Sequence, residues 1–421
     1  MRDMTVWAAF AVAVLAGCGG NSGGPQSEAP PVPELRGVID ATYGANGIAA
    51  VALPQGDSSA AVESMTELGV ALLVGGSGAF VAKLEVGGKL DPDFGNGGLD
   101  TSRLSGFPAH IDAIAVLSPS RIAVVESEPH LGPPGIPWPP RLSVRRIDAK
   151  SVPDTSYGNP YVDDGGGSIV VSPDGRVTSF IGSHRVVSLD PTGSRDESFE
   201  SQATAAWKCA NQFEPPLFVT SVAAARIDDR LVVATKWWDY DAPQRICVIR
   251  LNADGTLDPS FGNEGYQGFT EGIDPRLEAF RVLVRSDGGV LVVLNPRAYS
   301  GVVPPTILAL TASGSLDRSI SPTGIRAGAP FQLDTIVDMA IQPNGKLVAA
   351  GFSDGIPRVS RITAAADLPD ASFGPLGKGY TELQAQAFSM SPQTLLLASD
   401  GSLFIGGEEM TSRSPSVMKL R

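Results

Sequence analysis

The eleven residues Gly255–Gly265 read GTLDPSFGNEG, and a near copy, GKLDPDFGNGG, occupies Gly88–Gly98. With mismatches allowed, the kernel of this phrase occurs seven times. Its copies are anchored on Asp40, Asp91, Asp154, Asp196, Asp258, Asp317 and Asp370, at a mean spacing of about 55 residues. A period of that length marks an array of supersecondary units. Two further marks keep step with it. One is a polar turn followed by an apolar run, as in SPDGRVTSFIG (Ser172–Gly182), RSDGGVLVVL (Arg285–Leu294) and QPNGKLVAAG (Gln342–Gly351). The other is a short strand such as FVAKL (Phe80–Leu84), CVIRL (Cys247–Leu251) or RVSRI (Arg358–Ile362), which leads into the phrase.

Asp-Gly and Asn-Gly tolerate positive φ and favour tight hairpins, and the flanking Val, Leu and Ile suit strands. One unit therefore reads as about four antiparallel strands, with no convincing amphipathic helix. Such a sheet cannot bury both faces alone, so neighbouring sheets must stack and the array must close. The expectation is an all-β chain, a β-propeller of seven four-stranded blades. Glycine (48) and proline (34) make up about a fifth of the 421 residues, which fits many short strands joined by turns. The chain opens with Leu35–Gly44, which looks like the end of a unit, and closes with Ser416–Leu420, the strand that usually precedes that end. The two termini should meet in space; whether a strand near Leu35 pairs into the last blade is left open by the sequence.

The phrases GxLDxSFGxxG and xPDGKxLVAG, with the strand before them, resemble the delta-60 repeat, a bacterial extracytoplasmic propeller-type repeat. The resemblance covers Leu35 to Arg421. Two copies depart from it: Arg195–Glu200 lacks the glycine, and Leu316–Ser321 lacks the aromatic residue. It implies a location outside the cytoplasm and carries little function with it.

The N-terminus reads as an address. Arg2 precedes a nine-residue apolar run, Trp7–Leu15, too short to span a bilayer as a mature helix. Leu15-Ala16-Gly17-Cys18 follows directly and resembles the bacterial lipobox. That resemblance implies removal of residues 1–17, acylation of Cys18, and a lipid membrane as a partner; more than one acyl chain gives stable anchoring. Gly19 after the cysteine favours the outer membrane in a Gram-negative cell. Residues 18–34, rich in Pro, Gly and Ser, read as a flexible tether, and residues 35–421 as the propeller. The net charge is −13 with no basic run, so nucleic acid is not expected as a partner, nor electrostatic adhesion to anionic lipid.

No catalytic constellation emerges. Asp91-Pro92-Asp93-Phe94-Gly95-Asn96 has part of a calcium loop but lacks the closing Glu, and reads better as a turn. Gly351-Phe352-Ser353-Asp354-Gly355 matches a nucleophile elbow, yet Pro357 and another strand follow where a helix is needed. His110, His130 and His184 have no ligand spacing, so neither a metal nor a cofactor is expected. The better candidates for contact with a protein or a carbohydrate are Trp237, Trp238 and Tyr240 after an apolar strand, and Trp138 in the stiff insert GPPGIPWPP (Gly132–Pro140). An aromatic plug between blades is the competing reading for the first group. Export would permit a disulfide between Cys209 and Cys247, with two separate buried thiols as the alternative. The chain is thus expected to be a non-catalytic binding or scaffolding module at the cell envelope. The alternative is a propeller enzyme acting on glycans, which would need a pair of carboxylates facing each other at the channel mouth.

Overall fold

The computed structural model describes residues 34–421 except 54–59, 103–108, 129–140, 159, 163–167, 182–184, 207–217, 239–244, 297–302, 329–330 and 386–387. Seven antiparallel sheets follow one another along the chain and surround one cavity, so the seven-bladed propeller is found. The first strand of each blade lies innermost. These strands are Val62–Leu68, His110–Ser118, Ser168–Val171, Phe218–Ile227, Leu277–Val284, Thr335–Ile341 and Phe388–Leu397, in blades 1 to 7. Five blades have four strands in simple sequence order.

Each blade is apolar on both faces, which is why runs such as ALLVGG and VLVVL are nearly continuous rather than alternating. The core is accordingly divided into seven clusters, one at each junction between neighbours. Between blades 4 and 5, Val232, Val248 and Phe261 meet Leu277, Val292 and Leu308. Between blades 1 and 2, Leu73 and Phe94 meet Ile111 and Ile114.

The recurring phrase is the joint between the third and fourth strands, and it ties each blade to the next. Asp258 Oδ1 accepts from the Ser260 N–H (3.0 Å) and hydroxyl (2.7 Å), while Oδ2 pairs with Arg250 Nε at 2.8 Å. The Arg250 guanidinium covers the fully buried Phe261 ring at 4.7 Å and reaches the Ala312 carbonyl of blade 5 at 2.6 Å. Gly262 sits at φ +58, where a Cβ would lie 2.3 Å from the Tyr266 carbonyl oxygen, and its N–H donates to Ser313 of blade 5 at 2.7 Å. The same glycine bond recurs from Gly95 to Lys150 (3.0 Å) and from Gly374 to Arg36 (2.8 Å).

Ring closure is resolved. Ile48–Ala50 forms the outer strand of blade 7, with Ala49 opposite Val417 on the strand Ser414–Leu420. Val38 and Arg421 exchange backbone hydrogen bonds at 3.1 and 2.9 Å. The last blade is therefore built from both ends of the propeller region. It also carries a short inner-edge strand, Gln384–Ala385.

Blade 3 departs from expectation. It shows three strands among the described residues, and a helix, Glu197–Ala205, follows. The reason is local: Glu200 stands where five of the other six copies have glycine, four of them at positive φ, and here the chain continues as a helix instead of swinging into the left-handed region. Asp196 caps it by accepting from the Phe199 N–H at 2.9 Å.

Candidate functional site: the central cavity

The inner strands of blades 1 and 3 to 7 line a cavity of about 1940 Å³. It opens among the hairpin turns between first and second strands, at Asp228, Gly288, Gly345 and Gly401, and beside the loops after third strands, at Ala312 and Ala364. Six of the seven inner strands carry a register shift in their first half, as between Val62 and Ser64 or Ala279 and Arg281. A bulge of this kind re-aims the side chains around it. The residue after the shift then reaches the next blade. Ser64 Oγ accepts from Ile114 N–H (3.0 Å), Ser221 Oγ from Ala279 N–H (2.8 Å), and Asp338 Oδ2 from Leu395 N–H (2.7 Å). Ser168 in blade 3 does the same to Ala224 without a shift, at 2.9 Å. Arg281 closes the gap between blades 5 and 6 through an ion pair with Asp338.

Among the described residues five carboxylates line the cavity, and each has a basic partner. Glu34 meets Lys346 at 2.6 Å, Glu63 meets His110 at 3.1 Å, Asp228 meets Arg230 at 3.7 Å, Asp287 meets Arg285 at 3.1 Å, and Asp338 meets Arg281. Burial pushes the Arg281 guanidinium down to about 9. On the bulge of blade 2, within electrostatic reach of Glu63, lies Asp112. Its Oδ2 is buried without a hydrogen-bond partner. Burial pushes this carboxyl up to about 7, with the Ser127 hydroxyl opposing and the Glu63 charge adding to the rise. The hydrogen bond to Glu63 raises His110, against the effect of its own burial.

The candidates read from sequence fall elsewhere. Trp237 is not an exposed contact: it is 4% exposed, in the cluster between blades 3 and 4, with its indole N–H on Thr235 Oγ1 at 2.7 Å. Its position follows from strand alternation, since Leu231, Val233 and Thr235 share its face. Trp238 ends the same strand. Tyr240, Trp138, Cys18 and Cys209 lie outside the described residues. Cys247 is disulfide-bonded. Ser353 is buried and followed, after a two-residue turn, by the strand Ile356–Ile362, so it does not sit on a nucleophile elbow. Among the described residues no group of His, Cys, Asp and Glu is arranged to hold a metal ion. Sequence reasoning missed Glu63, Asp112, Arg281 and Asp338. The available signal was a charged residue interrupting an apolar inner strand, as in HIDAIAV or TIVDMAI.

Seven stacked blades around one cavity make the chain a β-propeller repeat protein. A family model described as "Domain of unknown function (DUF5122) beta-propeller" matches residues 228–261, which run from the first hairpin turn of blade 4 into its joint. No curated protein matches the chain. Among solved structures, the chain is similar to the GH74 xyloglucanase from Xanthomonas campestris, at 12% identity and a TM-score of 0.48, over 86% of this chain and 52% of that one. It therefore spans about half the length of that enzyme. It is also similar to the polysaccharide lyase Uly1, at 12% identity and a TM-score of 0.47, over 99% of this chain and 97% of that one. A computationally designed protein, Ika8, matches at 11% identity and a TM-score of 0.42, over 86% and 97%.

Proposed function

We propose that the chain is a propeller of the delta-60 type, anchored to the cell envelope through an acylated Cys18, that binds a protein or carbohydrate without turning it over. One observation supports the non-catalytic part: among the described residues, every carboxylate that lines the cavity is already engaged by a basic side chain. A glycosidase needs one carboxyl free to give a proton and a second free to attack or to activate water. Asp112 has the raised acidity of a general acid, and its Oδ2 is buried without a hydrogen-bond partner, but it is not among the residues that line the cavity. The glycan-acting enzyme is therefore the weaker reading.

Partner contact falls to the loops between second and third strands. In blade 4 the flanking strands end at Trp238 and Arg245, and in blade 2 at Glu128 and Arg141, both on the face opposite the cavity mouth. Replacing Trp138, Trp238 and Tyr240 together with serine should abolish capture of the envelope component retained by the unaltered chain. Unchanged capture would remove these aromatics as the contact. Release of oligosaccharides from neutral or acidic polysaccharides by the purified chain, lost in Glu63→Gln, would overturn the non-catalytic reading.

A further inference from the structure

Alongside the five carboxylates, five arginines line the cavity among the described residues. Four of them are engaged. Arg230 and Arg250 hold Asp258, Arg285 holds Asp317 and Asp287, and Arg281 holds Asp338. Arg226 differs: among the described residues its guanidinium has no hydrogen bond and no ion pair. It is half-buried, the last residue but one of the inner strand of blade 4, just before the mouth turn at Asp228. Since every lining carboxylate described is already paired, the mouth keeps one positive charge uncompensated.

Much of the remaining wall is of the opposite kind. On blades 5, 6 and 7 the inner strands put Leu283, Val284, Ala340, Ile341, Leu396 and Leu397 into the lining, each half-buried rather than sealed within a blade junction. Neighbouring inner strands pack in chain order around the ring, so blade 7 stands across from blade 4. Leu283, Ala340 and Leu396 each lie two residues beyond the position that follows the register shift, namely Arg281, Asp338 and Thr394. Arg226 lies five residues beyond its own, Ser221. Three residues of strand rise about 10 Å, so Arg226 is rooted that much nearer the mouth than the apolar band.

We propose that the cavity holds an amphiphilic carboxylate, a molecule of fatty-acid type whose head group pairs with Arg226 at the mouth and whose chain lies on Leu283, Ala340 and Leu396. Small-molecule sites are mostly apolar, with a few polar groups that fix orientation. A guanidinium offers two parallel N–H donors that match a carboxylate. A sugar acid would leave the apolar band uncovered, and a phosphate dianion would find a single unpaired cation among the described residues. The site is separate from the lipid anchor and from the loops of the opposite face, and it stands if either of those readings fails.

The test is calorimetric titration of the full chain carrying Cys18→Ser, so that no acyl group on residue 18 competes, with decanoate, hexanoate, decanol and glucuronate as probes. Decanoate should bind saturably at a single site. Hexanoate should bind at least roughly tenfold more weakly, since each buried methylene is worth about fourfold in affinity. Arg226→Gln should weaken decanoate by about tenfold or more and leave decanol unchanged. Arg226→Lys, which keeps the charge without the fork, should recover part of that loss. Arg226 has no folded-state partner to lose among the described residues, so Arg226→Gln should melt with the unaltered chain, and its weaker binding then reports on the site rather than on folding. Absence of saturable decanoate binding below about 1 mM, glucuronate binding as tightly as decanoate, or equal decanoate affinity in Arg226→Gln would each overturn the proposal.

Discussion

Asp370 and Asp112 show how one residue type serves opposite ends in this ring. Burial alone would raise the Asp370 carboxyl, but hydrogen bonds from Lys346 and Ser372 and the charge of Arg361 hold it down to about 2. The stability it contributes is fully present above its ordinary 3.8 and is lost as pH falls from there toward 2. Asp370→Asn leaves the fully buried Arg361 short of its partner and should cost about 3 kcal/mol in a denaturant titration near neutral pH. Asp112 has the reverse sign. Its folded-state value of about 7 lies above 3.8, so its contribution is complete below about 4 and fades as pH rises to 7. Asp112→Asn should melt close to the unaltered chain at pH 4 and higher than it at pH 8. A constant difference between the two pH values would show that burial does not control this carboxyl. The joint aspartates were legible in the sequence as turn formers, because Asp-Pro-Ser-Phe-Gly is local chemistry. The state of Asp112 was not, because it depends first on how the fold desolvates the bulge of blade 2, with Glu63 of blade 1 adding to the rise.

Element by element, what the repeat period announced is what formed, and the departures sit where a copy of the phrase is degraded. The helix Glu197–Ala205 is the clearest. It packs beside the third strand of blade 3, and Glu200 Oε1 accepts from the Ser188 N–H at 3.0 Å while also holding Arg195 Nε at 3.0 Å. A side chain thus caps an edge that a fourth strand covers in the other blades. Glu200→Ala leaves the fully buried Ser188 with an unsatisfied donor and should cost about 1–3 kcal/mol. Glu200→Gln keeps an acceptor and should recover most of that loss in the same unfolding measurement. The missing glycine in Arg195–Glu200 was visible in the sequence, but its consequence required knowing that Gly262 works at positive φ. Trp237 takes the competing reading, an aromatic plug between blades. A pair of tryptophans before a polar loop suggests exposure, whereas period-2 alternation assigns the first of them to the core.

At the scale of the molecule, the ring is closed by a strand from its N-terminal side. Ile48–Ala50 completes blade 7, and the segment before it puts Glu34 and Leu35 in the lining of the cavity. The sequence indicated that the ends meet but not how, since a three-residue strand carries too little pattern to be read. The register supplies a direct test. Val51 N–H donates to the Pro415 carbonyl at 2.8 Å and Lys419 N–H to the Gly47 carbonyl at 3.2 Å, so Ala50 and Ser416 face each other as a non-hydrogen-bonded pair. Such pairs bring Cα atoms to about 4.5 Å, within disulfide range. The measurement is peptide mapping of Ala50→Cys/Ser416→Cys after air oxidation of the native chain. A cross-linked peptide joining residues 50 and 416, formed before any denaturant is added and absent from either single variant, is the predicted result. Two free thiols in the folded double variant would contradict closure by the N-terminal strand.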